Sequence, residues 1–337
     1  MAGKSGREIA LTGKRDWKTK LFRWETFLIL IFIAVNIMNI CISDKYLSVS
    51  GLFTATNTFI YEAFLLLPMC FVLLIGEIDI SVGSIVALSA CLLGVTYNAT
   101  GNMGLAIVVC LLVGTVCGML NGWILVQFTE LNPMIVTLGT QIMYRGIAEM
   151  ILEDQATGGF TSVKWFSNLY WGKLGVVPYM FLIFVICAIV FGVVMHKTTF
   201  GRRMYAIGSN QKAALYSGIN VPGIRFFIYA LTGLFSGVTA IFLAAQMGSA
   251  RSNVASGFEM DAIGMAVLGG VLTDGGKGNF IGAMIALFIL GFLEYGLGLI
   301  NVSAQVMLVI KGLLLIIAVM IPNLKTIFAG RKKPVKA

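Results

Sequence analysis

The chain has 337 residues, 58% hydrophobic and only 12% charged, with a formal net charge of +9 and a mean hydropathy of +0.92. Soluble domains carry about a quarter charged residues, so a water-soluble enzyme, a nucleic-acid-binding domain and a secreted disulfide scaffold are excluded. Apolar stretches of about twenty residues recur along the chain, the mark of transmembrane helices. The chain reads as an all-α integral membrane protein.

Residues 1–26 form a basic tail, and ten apolar runs follow it. They lie near 27–42, 53–75, 83–97, 103–128, 133–152, 174–195, 224–247, 259–272, 279–300 and 303–322. The membrane-spanning body is therefore 27–322, and 323–337 is a second basic tail. The first run follows positive charge as a signal peptide would, but it has no small-residue cleavage site and nine similar runs follow, so it reads as an uncleaved span. Positive residues are retained on the cytoplasmic side. Threaded with the N-terminus inside, ten spans place 18 of the 24 Lys and Arg in cytoplasmic segments. Only Lys45, Lys164, Lys173 and Arg251 fall outside. Both termini are expected in the cytoplasm. The six cysteines fall inside apolar runs and read as small core residues, and His196 beside Lys197 has no metal-ligand spacing. No metal site is expected.

Ionisable groups inside a bilayer are costly and mark a pathway, a pair or a cavity. Arg145 and Glu149 stand four residues apart on one helix and are expected to neutralise each other; Glu294 and Lys311 lie on adjacent runs and can pair. Two acidic clusters stand out: Gly76-Glu77-Ile78-Asp79-Ile80-Ser81-Val82-Gly83-Ser84 and Phe258-Glu259-Met260-Asp261-Ala262. Each holds Glu-x-Asp, 182 residues apart, and each precedes a short Gly/Ala-rich run. Ten spans would put them on opposite sides, as a five-plus-five inverted repeat does. Ser81 can cap the helix that opens at Val82, with Asp79 serving the same donors; a capped helix start and a pore-lining role both fit. Gly114, Gly118 and Gly122 share one helix face, as do Gly233 and Gly237, which lets helix backbones approach closely.

Catalytic and nucleotide sites are not visible. Gly3-Lys4-Ser5 lacks the upstream glycine and strand of a phosphate-binding loop, so ATP use would require a separate subunit. Segment 196–223 is basic and free of acid, with a helix-like core from Gln211 to Ser217. Asn210 is its expected N-cap and Gly218 its expected C-terminal stop. Such a helix across the cytoplasmic face suits the docking of a soluble motor; an ordinary surface helix fits the same residues.

Here the sequence resembles a family. Phe200-Gly201-Arg202, Tyr205-Ala206-Ile207-Gly208, Asn210, Ala213-Ala214 and Ser217-Gly218-Ile219 are similar to the coupling segment of bacterial ABC importer permeases for simple sugars. Residues 76–84 resemble that family's Gly-Gly-Ile-Asp-Leu-Ser-Val-Gly-Ser. Asn132-Pro133 with Thr137-Leu138-Gly139-Thr140, and Ala266-Val267-Leu268-Gly269-Gly270, continue the likeness over about 50–325. Glu77 replaces the usual second glycine, and Gln211 stands where glutamate is common.

The resemblance implies the membrane-spanning permease subunit of an ATP-driven importer of a monosaccharide or sugar-like molecule, of ribose, rhamnose or autoinducer-2 type, in the bacterial inner membrane. It would not itself be an enzyme and would bind no cofactor; ATP and Mg would sit on partner ABC ATPase subunits. Further partners would be a second permease copy or a sister permease, an extracytoplasmic sugar-binding protein, the sugar and the lipid bilayer, with no nucleic acid. Gly208, Asn210, Gln211, Ala213, Ala214, Ser217 and Gly218 would couple to the ATPase. Glu77, Asp79, Ser81, Asn132, Asp261 and Glu294 are the candidate translocation path. The competing reading is a proton-coupled secondary transporter of a small polar solute using Glu77, Asp79 or Glu294 as a relay.

Overall fold

The computed structural model describes residues 24–43, 46–153, 155–314, 316 and 320. Most of the N-terminal tail, Lys45 and the whole C-terminal tail lie outside them. Helices dominate: α1 Trp24–Ile42, α2 Val49–Asn57, α3 Ile60–Leu74, α4 Val82–Thr100, α5 Met103–Gln127 and α6 Pro133–Leu152. Beyond them lie a 3-10 turn at Phe160–Ser162, α7 Lys164–Trp171, α8 Tyr179–Lys197, α9 Thr199–Ser209, α10 Gln211–Tyr216 and α11 Val221–Met247. Three more helices follow: α12 Phe258–Leu268, α13 Phe280–Leu299 and α14 Ala304–Leu314. Between α7 and α8 a two-residue antiparallel pair, β1 Lys173–Leu174 and β2 Val177–Pro178, closes around Gly175 at φ +66°. That turn delays α8 beyond the expected start of its apolar run.

Among the described residues, α4, α5, α8, α11 and α13 are each long and apolar enough to cross a bilayer. The α2–α3 pair, bent by 62°, makes a sixth if read as one broken span. α6 has the length but carries Gln141, Arg145 and Glu149. α12 has 11 residues, a rise of about 16 Å, which covers half of a hydrocarbon core of about 30 Å. Apolar side chains face outward, Ile135 at 69% and Ile142 at 68% exposure among them, while Asp79, Asn121 and Thr232 are fully buried. Polar inside and apolar outside is the arrangement a lipid environment selects.

The closest packing joins α5 to α11. A Cβ on Gly114 would fall on the Gly233 carbonyl, one on Gly118 on the Tyr229 carbonyl, and one on Gly233 on the Gly114 carbonyl. Without side chains at the contact the two backbones touch, and dispersion replaces the hydrophobic drive that lipid removes. The glycine spacing in the sequence signalled this close approach.

Contacts sort the connectors into two ends. At one end Gly276 N donates to the Leu74 carbonyl at 2.9 Å, Gly208 packs on Leu74 and Gly276, and Trp24 Nε1 donates to the Leu268 carbonyl at 2.8 Å. At the other, Thr157 bridges Ala250 and Gln246 Nε2 donates to Tyr170 Oη at 2.9 Å. Residues 250–257 run inward along α4, because Ala250 packs on Gly94 whereas Ala255 and Glu259 pack on Gly83. Gly83 and Gly94 are about 16 Å apart on the helix. α12 therefore starts beside the first turn of α4, deep in the protein, and the two helices diverge toward opposite ends.

The glycine contact generates a paired test. Gly118→Val should lower the melting temperature of the detergent-solubilised protein by several degrees, since overpacking costs about 1–3 kcal/mol. Gly139→Ala, where nothing lies within 4 Å, should leave it unchanged or raise it slightly, since alanine favours a helix interior.

Candidate coupling surface and buried polar clusters

Segment 196–223 is built as its residues dictate. Asn210 caps α10, its side chain accepting from Ala213 N at 2.9 Å. Gly218, at φ +80°, ends it: Ile219 N donates to the Ala214 carbonyl at 3.1 Å and Gly218 N to that of Leu215 at 3.0 Å. These two bonds form a Schellman ending. Asn220 then caps α11, accepting from Gly223 N at 3.0 Å. Gln211, Ala213, Ser217 and Gly218 are exposed, Ala214 is turned into the protein, and Gly208 is wedged against the end of α3. α10 presents Leu215 at 54% and Tyr216 at 90% exposure. Tyr205 Oη donates to the Gly278 carbonyl at 3.0 Å, bracing α9 on the 272–279 turn, and burial raises that phenol above its ordinary pKa.

The six candidate path residues do not converge. Glu77, Asp79 and Ser81 lie together in the 76–81 connector between α3 and α4. Ser81 occupies the N-cap position of α4 but makes no capping bond; its hydroxyl instead donates to Asp79 Oδ1 at 2.6 Å, and its N–H donates to the same oxygen at 2.9 Å. Asn121 Nδ2 reaches Ser81 Oγ at 2.8 Å, and the Tyr144 hydroxyl stands 3.1 Å from Asn121 Oδ1 and 3.0 Å from the Cys117 carbonyl. Ile80 N donates to Thr137 Oγ1 at 3.2 Å. Buried polar groups need such partners, and this network supplies them where the helix is broken. Asn132 stands apart on the surface, capping α6 through Met134 N at 2.9 Å.

Asp261 and Glu294 form a separate cluster around Lys311, whose Nζ lies 3.1 Å from Asp261 and 2.9 Å from Glu294. These ion pairs tie α12, α13 and α14. Glu62 of α3 lines the same cavity of about 10 Å³, a size that holds one water. A neighbouring cavity of about 220 Å³ is bounded by Met260, Asp261, Leu308 and Lys311, with other residues of the same helices.

Arg145 does not pair with Glu149. Its Nη1 donates to the carbonyls of Ser252 and Val254 at 2.6 and 2.7 Å, because the carbonyls of the inward-running 250–257 segment need donors that water cannot provide. Gln141 Nε2 donates to Glu259 Oε1 at 3.1 Å. Sequence reasoning missed Asn121, Tyr144, Gln141 and the burial of Arg225. A lone amide inside the Gly114–Gly122 run was the available signal for Asn121.

Tyr144→Phe leaves Asn121 Oδ1 without a donor in a buried site, which costs about 1–3 kcal/mol. Its thermal unfolding should fall accordingly, whereas Tyr97→Phe, at an exposed contact, should change stability by less than about 0.5 kcal/mol.

Comparison with known proteins agrees with this architecture. Residues 51–319 match the family model described as a branched-chain amino acid transport system permease component. The chain is 36% identical over 303 residues to the autoinducer 2 import system permease protein LsrD of Photorhabdus temperata, covering 88% of this chain and 90% of that one. The corresponding protein of Escherichia coli K12 is 36% identical over 302 residues, 88% of this chain and 91% of that one. No solved structure matches. With the matched region spanning nearly all of the described helices, the chain belongs to this family of multi-pass membrane permease components of import systems.

Proposed function

We propose that this chain forms the translocation path of an ATP-driven ABC importer for a monosaccharide or sugar-like molecule, and that α10 is where separate ATPase subunits dock. The observation that carries the proposal is α10: a capped helix at a basic end of the protein that presents Leu215 and Tyr216 outward. An exposed aromatic side chain next to an aliphatic one is the composition of an interface anchor. The name of the relatives favours autoinducer-2 or a related sugar-like solute over an amino acid. In this reading ATP and Mg reside on the partner, an extracytoplasmic binding protein delivers the solute, and a second copy or a sister permease completes the path. Asp261 and Glu294, beside the cavities, and the Asp79–Ser81 connector are the proposed path residues of this subunit.

The same reading fixes topology. Lys197, Arg202, Arg203, Lys212 and Lys277 belong to the connectors that meet around Leu74 and Gly208, whereas Lys164, Lys173 and Arg251 belong to those around Thr157. The positive-inside rule makes the first end cytoplasmic, with ten crossings, both termini inside and α12 the inner half of a broken crossing. The paired starts of α4 and α12 support a five-plus-five inverted repeat.

Two measurements test the proposal. Cysteines placed at 200–220 should label only from the cytoplasm, and those at 155–170 only from outside; inside labelling of 155–170 would break the topology. Tyr216→Asp with Leu215→Asp should reduce co-purified ATPase about tenfold or more, the loss expected on removing an interface anchor. The permease should still insert, because neither side chain is part of its core. Undiminished ATPase recovery would remove α10 as the docking element.

A further inference from the structure

The Glu77–Arg225 pair has no part in the path or docking surface just described. Arg225 Nε stands against Glu77 Oε1, with side-chain exposures of 7% and 8%. Arg225 Nη1 also donates to the Leu125 carbonyl at 2.7 Å, in the last turn of α5, where a cation is favoured by the helix dipole. One guanidinium therefore joins the start of α11, the end of α5 and the connector between α3 and α4. Stability alone is a weak reason for such a pair. Taking two charges out of water costs several kcal/mol per ion, and apolar replacements of buried pairs are often neutral or stabilising.

Its position suggests a different role. Arg225 follows Gly218 by seven residues, and the intervening chain is fixed by the Schellman ending of α10 and the Asn220 cap. A displacement of α10 must therefore move the first turns of α11. Glu77 precedes Asp79 by two residues in the connector, and Asp79 organises Ser81, Asn121 and, through Asn121, Tyr144 on α6. The pair is the charged link between these two rigid units. The Tyr229 hydroxyl, four residues along α11, lies near the same carboxylate. That hydroxyl interacts with the carboxylate, so Glu77 meets α11 at two points one turn apart, Arg225 and Tyr229.

We propose that Glu77 and Arg225 are positioning residues that carry movement of α10 to the 76–81 connector, and so set how closely transport follows ATP hydrolysis. The proposal rests on the importer reading above. The test uses the complete complex of permease, ATPase and binding protein in vesicles, with labelled autoinducer-2, rhamnose and ribose as probes. The readouts are solute imported per ATP hydrolysed and the melting temperature of the complex. Glu77→Gln keeps the side chain's shape and an acceptor for Arg225 while removing its charge. The double variant Glu77→Leu with Arg225→Met removes the pair without leaving a lone buried charge.

Both variants should import about fivefold less solute per ATP than the parent, the lower end of typical coupling factors. The double variant should keep a melting temperature near the parent's. A purely structural pair would instead lower the melting temperature or the yield and leave the ratio at the parent value. A parent-like ratio in either variant overturns the proposal, and Glu77→Gln decides it if the double variant does not assemble. A parent complex that imports none of the probes in an ATP-dependent way would instead strike the importer reading itself.

Discussion

The contact between α5 and α11 is the constraint on which the rest of the protein depends. Lipid offers helices no hydrophobic reason to associate, so they hold together where backbones meet without side chains between them. Gly114, Gly118 and Gly233 provide that meeting, each with the neighbouring backbone where a Cβ would be. α11 is thereby fixed along its length, with Arg225 against the end of α5 and Gln246 against Tyr170. Segment 196–223, which runs directly into α11, inherits its position from this contact.

A second constraint shapes the interior. A broken helix inside a membrane exposes backbone donors and acceptors that water cannot satisfy. The 76–81 connector answers this with Asp79, Ser81 and Thr137, and the 250–257 segment answers it with Arg145. The two breaks therefore place their polar side chains for backbone reasons first. That is why Asp79, one of the candidate path residues, is held by the amide and hydroxyl of Ser81. The cluster of Lys311 with Asp261 and Glu294 differs, since its members join side chain to side chain across three helices beside a cavity.

Much of this was legible in the sequence because it is local. Asn210 and Gly218 announce the limits of α10 by the capping chemistry of their own side chain and backbone, and the four-residue glycine spacing announces the α5–α11 face. The Glu294–Lys311 pair was within reach because the two runs are adjacent. What was not legible depends on distant parts of the chain. Ser81 could have capped α4, but its hydroxyl donates to Asp79 and its oxygen accepts from Asn121, forty residues away. Arg145 was expected to meet Glu149 one turn on, but its guanidinium donates to carbonyls more than a hundred positions later. The burial of Arg225 has no local mark, since its partners Glu77 and Leu125 lie a hundred residues or more away. Glu77, where the related motif has glycine, was a visible oddity whose partner only the folded chain discloses.

The central claim is that this permease works as the membrane half of an ATP-driven importer. Its most direct test is solute uptake into vesicles holding the purified complex, with binding protein supplied outside and ATP inside, over a panel of autoinducer-2, rhamnose, ribose and leucine. The account predicts uptake of a sugar-like solute that requires hydrolysable ATP and persists when an uncoupler abolishes the proton gradient. Uptake that proceeds without ATP and collapses with the uncoupler would contradict it.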